Sequence, residues 1–153
     1  MITIEANPEG IKPASLRRFV LAAQRAAGLQ GSVNVLIASS SALRQLNRRF
    51  RGKNTPTDVL SFPPSSETAH RNGSAGDIAI SMEIAGENAA RLGHSVADEV
   101  KILLLHGVLH LAGYDHEADD GEMAAREQQL RRKLKLPDAL IERSASTRRR
   151  RKP

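Results

Sequence analysis

Residues 96–116 read Val96-Ala-Asp-Glu-Val-Lys-Ile-Leu-Leu-Leu-His106-Gly-Val-Leu-His110-Leu-Ala-Gly113-Tyr-Asp-His116. After its first turn the segment is apolar on nearly every face, so it predicts a helix at the centre of the domain. Ser95, with Asp98 three residues on, resembles a capping box and marks its start. Gly113 marks its end, because glycine can take the left-handed conformation that turns the chain sharply. A central, fully apolar helix needs other elements to cover it, and the flanking sequence supplies them.

Working outward, Ile2–Glu5 alternates and predicts a first strand, and Val33, Val35 and Ile37 lie on one face of a second. Val59–Phe62 and Asp77–Ser81 predict two more short strands. Helices are expected from Pro13 to Gly28, from a cap at Ser39–Ser41 with Leu43, Leu46 and Phe50 inward, and over Met82–Leu92. A last helix opens at Asp119 and Glu122, with Met123, Leu130 and Leu134 inward. Arg131, Arg132, Lys133 and Lys135 complement its carboxyl-terminal dipole. The expected fold is α+β: a small four-stranded mixed sheet packed with about five helices, the chemistry sitting on the central helix and the turn after it.

The chain has 153 residues, 23 Lys plus Arg, 17 Asp plus Glu and no Cys. That length suits one domain. Without Cys, any metal must be held by His, Asp or Glu. Residues 1–142, the expected single catalytic domain, balance 17 basic against 17 acidic side chains. Residues 143–153 hold the other six basic residues and no acid, which predicts a disordered cationic tail. Pro63–Ala75 is rich in Pro, Ser and Gly and is expected to be a loop. The amino terminus lacks the pattern of a secretory signal, and the apolar run Ile102–Ala112 falls far short of the roughly 20 residues of a membrane span. The expected location is the cytoplasm.

His106 and His110 are four residues apart, so their rings leave one helix face one turn apart. The turn at Gly113 can return His116 toward the same point. Three neutral imidazoles converging in this way make an open Zn²⁺ site, its fourth position left for water or substrate. His70 and His94 read instead as ordinary structural residues. The same spacing occurs in the zinc protease pattern H-E-x-x-H-x-x-G-x-x-H, whose Glu is the general base. Here that position is Gly107, which argues against peptide hydrolysis by the usual route.

A second cluster favours an anionic substrate. Between Ser39 and Thr57 stand Arg44, Arg48, Arg49, Arg51 and Lys53, with no acid. Arg44, Arg48 and Arg51 recur at helical spacing, and a basic stripe without compensating carboxylates favours phosphate contact. Arg51 precedes Gly52-Lys53-Asn54-Thr55-Pro56, a loop able to aim a guanidinium at a phosphate. The four aromatics, Phe19, Phe50, Phe62 and Tyr114, supply a stacking platform poorly, since Phe19 and Phe50 are assigned core positions. Asp58 and Asp77 read either as turn-forming residues or as outer partners of a zinc-bound His.

Together these residues resemble the YbeY family of bacterial rRNA maturation endoribonucleases. The likeness lies in three blocks: Leu46-Asn-Arg-Arg-Phe-Arg51 continuing to Thr57-Asp-Val-Leu-Ser-Phe-Pro63; Gly76-Asp-Ile78; and His106 through His116. It spans roughly residues 1–140, and the Arg-rich tail lies outside it. The resemblance implies one zinc ion per chain on His106, His110 and His116, with Arg51 beside it as the functionally important arginine. It implies a single-strand-preferring endoribonuclease acting in 16S rRNA 3′-end maturation and ribosome quality control. The implied partners are the small ribosomal subunit, its proteins and an assembly GTPase.

The expected chemistry has His106 and Arg51 as catalytic residues, with Arg44, Arg48 and Lys53 binding substrate. The metal is a Lewis acid and Arg51 offsets charge on a phosphorane-like transition state. The nucleophile is either water or the RNA's 2′-hydroxyl. Two other readings stay open at this point, a zinc metalloprotease-like hydrolase and a non-catalytic RNA-binding assembly factor.

Overall fold

In a computed structural model, residues 1–5, 7–66, 73–115 and 118–137 are described. The chain order is β1 (Ile2–Ile4), α1 (Pro13–Ala27), β2 (Ser32–Ala38), α2 (Ser40–Arg51), β3 (Val59–Phe62), β4 (Ser74–Ser81), α3 (Met82–Leu92), α4 (Val96–Leu111) and α5 (Glu122–Lys133). The sheet order is β1-β2-β4-β3. β1, β2 and β4 run parallel, and β3 pairs antiparallel with β4 through Val59–Ile80 and Phe62–Asp77. This is the mixed four-stranded sheet with helices that the hydrophobic pattern predicts.

The central helix is central. Val100, Ile102, Leu103, Leu104, Leu105, Val108 and Leu109 on α4 are all fully buried. All of these except Ile102 join one cluster with Leu16, Phe19 and Val20 of α1, Val35 and Ile37 of β2, Ile78 and Ile80 of β4, and Met123 and Leu130 of α5. A smaller cluster, Ala38, Leu43, Leu60 and Ala79, lies under α2. Strand alternation separates the two: Ile78 and Ile80 enter the first cluster, Ala79 the second. Among the described residues no helix is long and apolar enough to cross a membrane.

Three expectations need correction. β4 begins at Ser74 rather than Asp77, because Ser74 and Gly76 pair with Ser32 and Val33 across a register shift. Gly76 has φ +131°, and a Cβ there would lie 2.6 Å from the Phe62 carbonyl and 2.7 Å from Leu111 Cδ2. The close approach of β4 to β3 and to the end of α4 therefore needs glycine. Phe50 is 58% exposed rather than buried. Its ring meets Phe62 edge-on at 5.4 Å with the Arg49 guanidinium 5.3 Å above it, while Asn47 takes the buried position one turn earlier. Arg131 is 4% exposed, donating from Nη1 to the Pro137 carbonyl (3.1 Å) where the chain folds back after α5. His70, much of the Pro63–Ala75 loop and the 143–153 tail lie outside the described residues.

Candidate metal centre and substrate cleft

The helix that carries the histidines is fixed at both ends. Ser95 Oγ accepts a hydrogen bond from the Asp98 amide at 3.0 Å, as the capping pattern predicts. At the other end Gly113 has φ +103°; its amide donates to the His110 carbonyl and the Tyr114 amide to the Leu109 carbonyl. That bond pair is a Schellman closure. His110 therefore sits on the last turn with His106 one turn before it, and the chain bends soon after His110.

Their rings converge. His106 Nε2 and His110 Nε2 are 3.2 Å apart, with ring planes at 76°. Two imidazoles bound at about 2.0–2.1 Å to one tetrahedral zinc would place their nitrogens roughly 3.3 Å apart. The separation and the all-imidazole donors thus fit zinc. His116 lies outside the described residues, and among those described no group of three His, Asp or Glu is placed to hold a metal. The other nitrogen of His106, Nδ1, is 2.9 Å from Oε1 of Glu127, a residue of α5 with no solvent exposure.

Glu127 is the site residue that the sequence reading missed. It lies in the apolar stripe of its own helix, between Met123 and Leu130 at helical spacing, and a carboxylate in such a stripe is the signal that could have found it. Asp77, one of the two acids considered for an outer role, is exposed and accepts from Asn34 Nδ2 (3.1 Å). Asp58 lines the same cleft as the histidines, and its carbonyl accepts from the Ser81 amide at 2.9 Å.

A cleft of about 570 Å³ opens beside the histidines. Its wall includes His106, His110, Arg51, Asp58, Tyr114 and Asp115. Arg51 is the only described basic residue to reach it. Arg44, Arg48 and Lys53 are exposed and do not line it. The loop after Arg51 is tied down: buried Asn47 donates from Nδ2 to the Thr55 carbonyl (3.0 Å), and the Lys53 amide donates back to the Asn47 carbonyl. The last turn of α2 is thereby held beside the cleft, with Arg51 at its mouth.

Gly107 faces the sheet. A Cβ there would stand 2.8 Å from Ile78 Cδ1 and 3.0 Å from its Cγ2, and Ile78 is itself buried. The protease glutamate at this position would collide with the core, so its absence is a packing requirement of this helix–sheet contact.

His94 behaves as an ordinary structural residue. Its Nε2 lies 2.7 Å from Oε1 of buried Glu99, whose Oε2 accepts from Asn88 Nδ2 at 3.3 Å.

Comparison with known proteins identifies relatives of the chain. Residues 10–135 match the family model described as Endoribonuclease YbeY. A protein of that name from Koribacter versatilis is 56% identical over 144 residues, covering 94% of this chain and 91% of the relative. One from Solibacter usitatus is 41% identical, with 95% of each chain covered. The solution structure of TM1509 from Thermotoga maritima superposes with a TM-score of 0.55 at 32% identity, covering 84% of this chain and 85% of that one.

Proposed function

The chain belongs to the YbeY endoribonuclease family, and from that premise we propose that it cleaves single-stranded ribosomal RNA in a zinc-dependent reaction. The observation that carries the reading is the convergence of two imidazole Nε2 atoms at 3.2 Å in a cleft that also presents Arg51. A structural zinc would have a closed ligand set, whereas a cleft beside the ligands supports an open position.

His106, His110 and His116 are the residues that would hold the ion. When bound, it supplies Lewis acidity for phosphodiester chemistry. Arg51 binds a phosphate oxygen through charge-assisted hydrogen bonds and offsets the negative charge that builds in the transition state. Arg44, Arg48 and Lys53, exposed on or beside α2, act on the RNA backbone away from the reacting phosphate. The physiological role we assign is 16S rRNA 3′-end maturation and ribosome quality control in the cytoplasm. The chain would act there with the small subunit, its proteins and an assembly GTPase.

The test is incubation of metal-quantified protein with structured ribosomal RNA and, separately, with casein, beside His110→Ala purified in the same way. RNA cleavage that disappears in the variant, with casein intact, is the expected result. Casein digestion would favour the protease-like hydrolase. Equal RNA cleavage by the variant would remove catalysis from this site and leave RNA binding as its role. Analysis of the cleaved ends tests the nucleophile: a 2′,3′-cyclic phosphate assigns the RNA's own 2′-hydroxyl and rules out direct attack by water.

A further inference from the structure

We infer that Glu127 is the positioning residue of the metal centre: it fixes the tautomer of His106 and thereby makes helix α5 a condition of metal retention. The inference rests on the zinc reading above and extends it to an element that carries none of the three histidines.

The environment of Glu127 gives the first reason. The residue is fully buried between Met123 and Leu130, where a carboxylate is costly unless it is paired. Its Oε1 meets His106 Nδ1 at 2.9 Å, while among the described residues its Oε2 has no hydrogen-bond partner. Buried Glu99, which serves the fold, engages both oxygens, with His94 and with Asn88. A carboxylate retained for stability alone would be expected to do the same. Among the described residues Glu127 instead engages one imidazole.

Tautomer chemistry gives the second. If Nδ1 of His106 carries the proton, it donates to Glu127 and the Nε2 lone pair faces the point shared with His110. If Nε2 carries it, the Nδ1 lone pair opposes a carboxylate oxygen at 2.9 Å and a proton occupies the metal position. The carboxylate therefore selects the form that can ligate and raises its basicity. α5 is in turn fastened to the body by Arg126, whose Nη2 donates to the Ala26 carbonyl at the end of α1 (2.7 Å), while Asp119 Oδ2 accepts from the Met123 amide in its first turn (3.0 Å). Docking of this helix and the ligating state of His106 are one structural event.

The full-length chain is compared with Glu127→Gln and Glu127→Ala. ¹H–¹⁵N spectra of the metal-free proteins read the His106 tautomer, competition with a chromophoric chelator reads zinc affinity, and thermal unfolding without metal reads the fold. The wild-type neutral ring should be protonated at Nδ1. Glu127→Ala should shift it toward Nε2 and weaken zinc binding about 10- to 100-fold. Glu127→Gln, which keeps an acceptor oxygen in the same volume, should retain the tautomer in part and lose less affinity. It carries the test if the alanine variant does not fold. Unchanged tautomer and zinc affinity in a folded variant would overturn the inference. Wild-type protein that binds no zinc would contradict the zinc reading instead, and the metal-free spectra would still decide the role of Glu127.

Discussion

The molecule contains two histidine–glutamate pairs that are alike in burial and length but different in outcome. His94–Glu99 is 2.7 Å long and His106–Glu127 is 2.9 Å, and both glutamates are fully buried. His94 gives its Nε2 to the carboxylate, which also accepts from Asn88, so the pair closes on itself at the joint of α3 and α4. His106 gives its Nδ1 instead, and its Nε2 is left to meet His110 in an open cleft. A buried His–Glu contact is therefore a fastening by default. Under the function proposed above it becomes part of a metal centre when the second ring nitrogen converges with another imidazole beside solvent.

Substitutions at the two pairs and around them should separate these roles. The largest effect is expected at the reactive pair: His106→Ala should lose zinc, more than the roughly 100-fold that an outer partner contributes, and RNA cleavage with it. Metal analysis of the purified variant checks this. Arg51→Ala should retain zinc yet lower the cleavage rate about 10²- to 10³-fold, the scale of removing one donor to developing charge. Single-turnover kinetics at saturating RNA reads that loss.

Smaller effects are expected where only packing is disturbed. His94→Ala should keep zinc and activity but destabilise the fold by about 1–3 kcal/mol, because buried Glu99 loses a partner. Denaturant unfolding measures it, and loss of zinc in this variant would break the contrast between the pairs. Gly107→Ala should cost a similar amount, about 1–3 kcal/mol, through collision with Ile78. Gly107→Glu should cost more and create no protease. Deleting residues 143–153 should have the least consequence, weakening RNA binding in low salt and flattening its salt dependence while zinc content stays the same.

What the sequence discloses follows the range of the interactions involved. The caps at Ser95 and Gly113 are local, and so is the i, i+4 placement of His106 and His110, so each is read from spacing alone. His106–Glu127 joins two helices 21 positions apart, and only the anomaly of a carboxylate in an apolar stripe hints at it. Phe50 misleads for a related reason: its helical phase points inward, yet it meets Phe62 at an exposed rim and Asn47 holds the buried place. The early start of β4 depends on pairing with β2 and on the room that Gly76 leaves for Leu111, neither of which is a local property. Arg51 lines the cleft whereas Arg44, Arg48 and Lys53 of the same basic run do not, a division that spacing could not give because helical phase does not say where a helix ends against a cleft.

On the proposed function, RNA cleavage depends on an ion held at His106 and His110. Titration of zinc into chelator-stripped, full-length protein, with cleavage of single-stranded ribosomal RNA as the readout, tests it most directly. Stripped protein should be inactive, activity should return in proportion to added zinc and saturate at one ion per chain, and His110→Ala should stay inactive throughout. Full activity in the stripped protein, or zinc-dependent recovery in the His110→Ala variant, would contradict it.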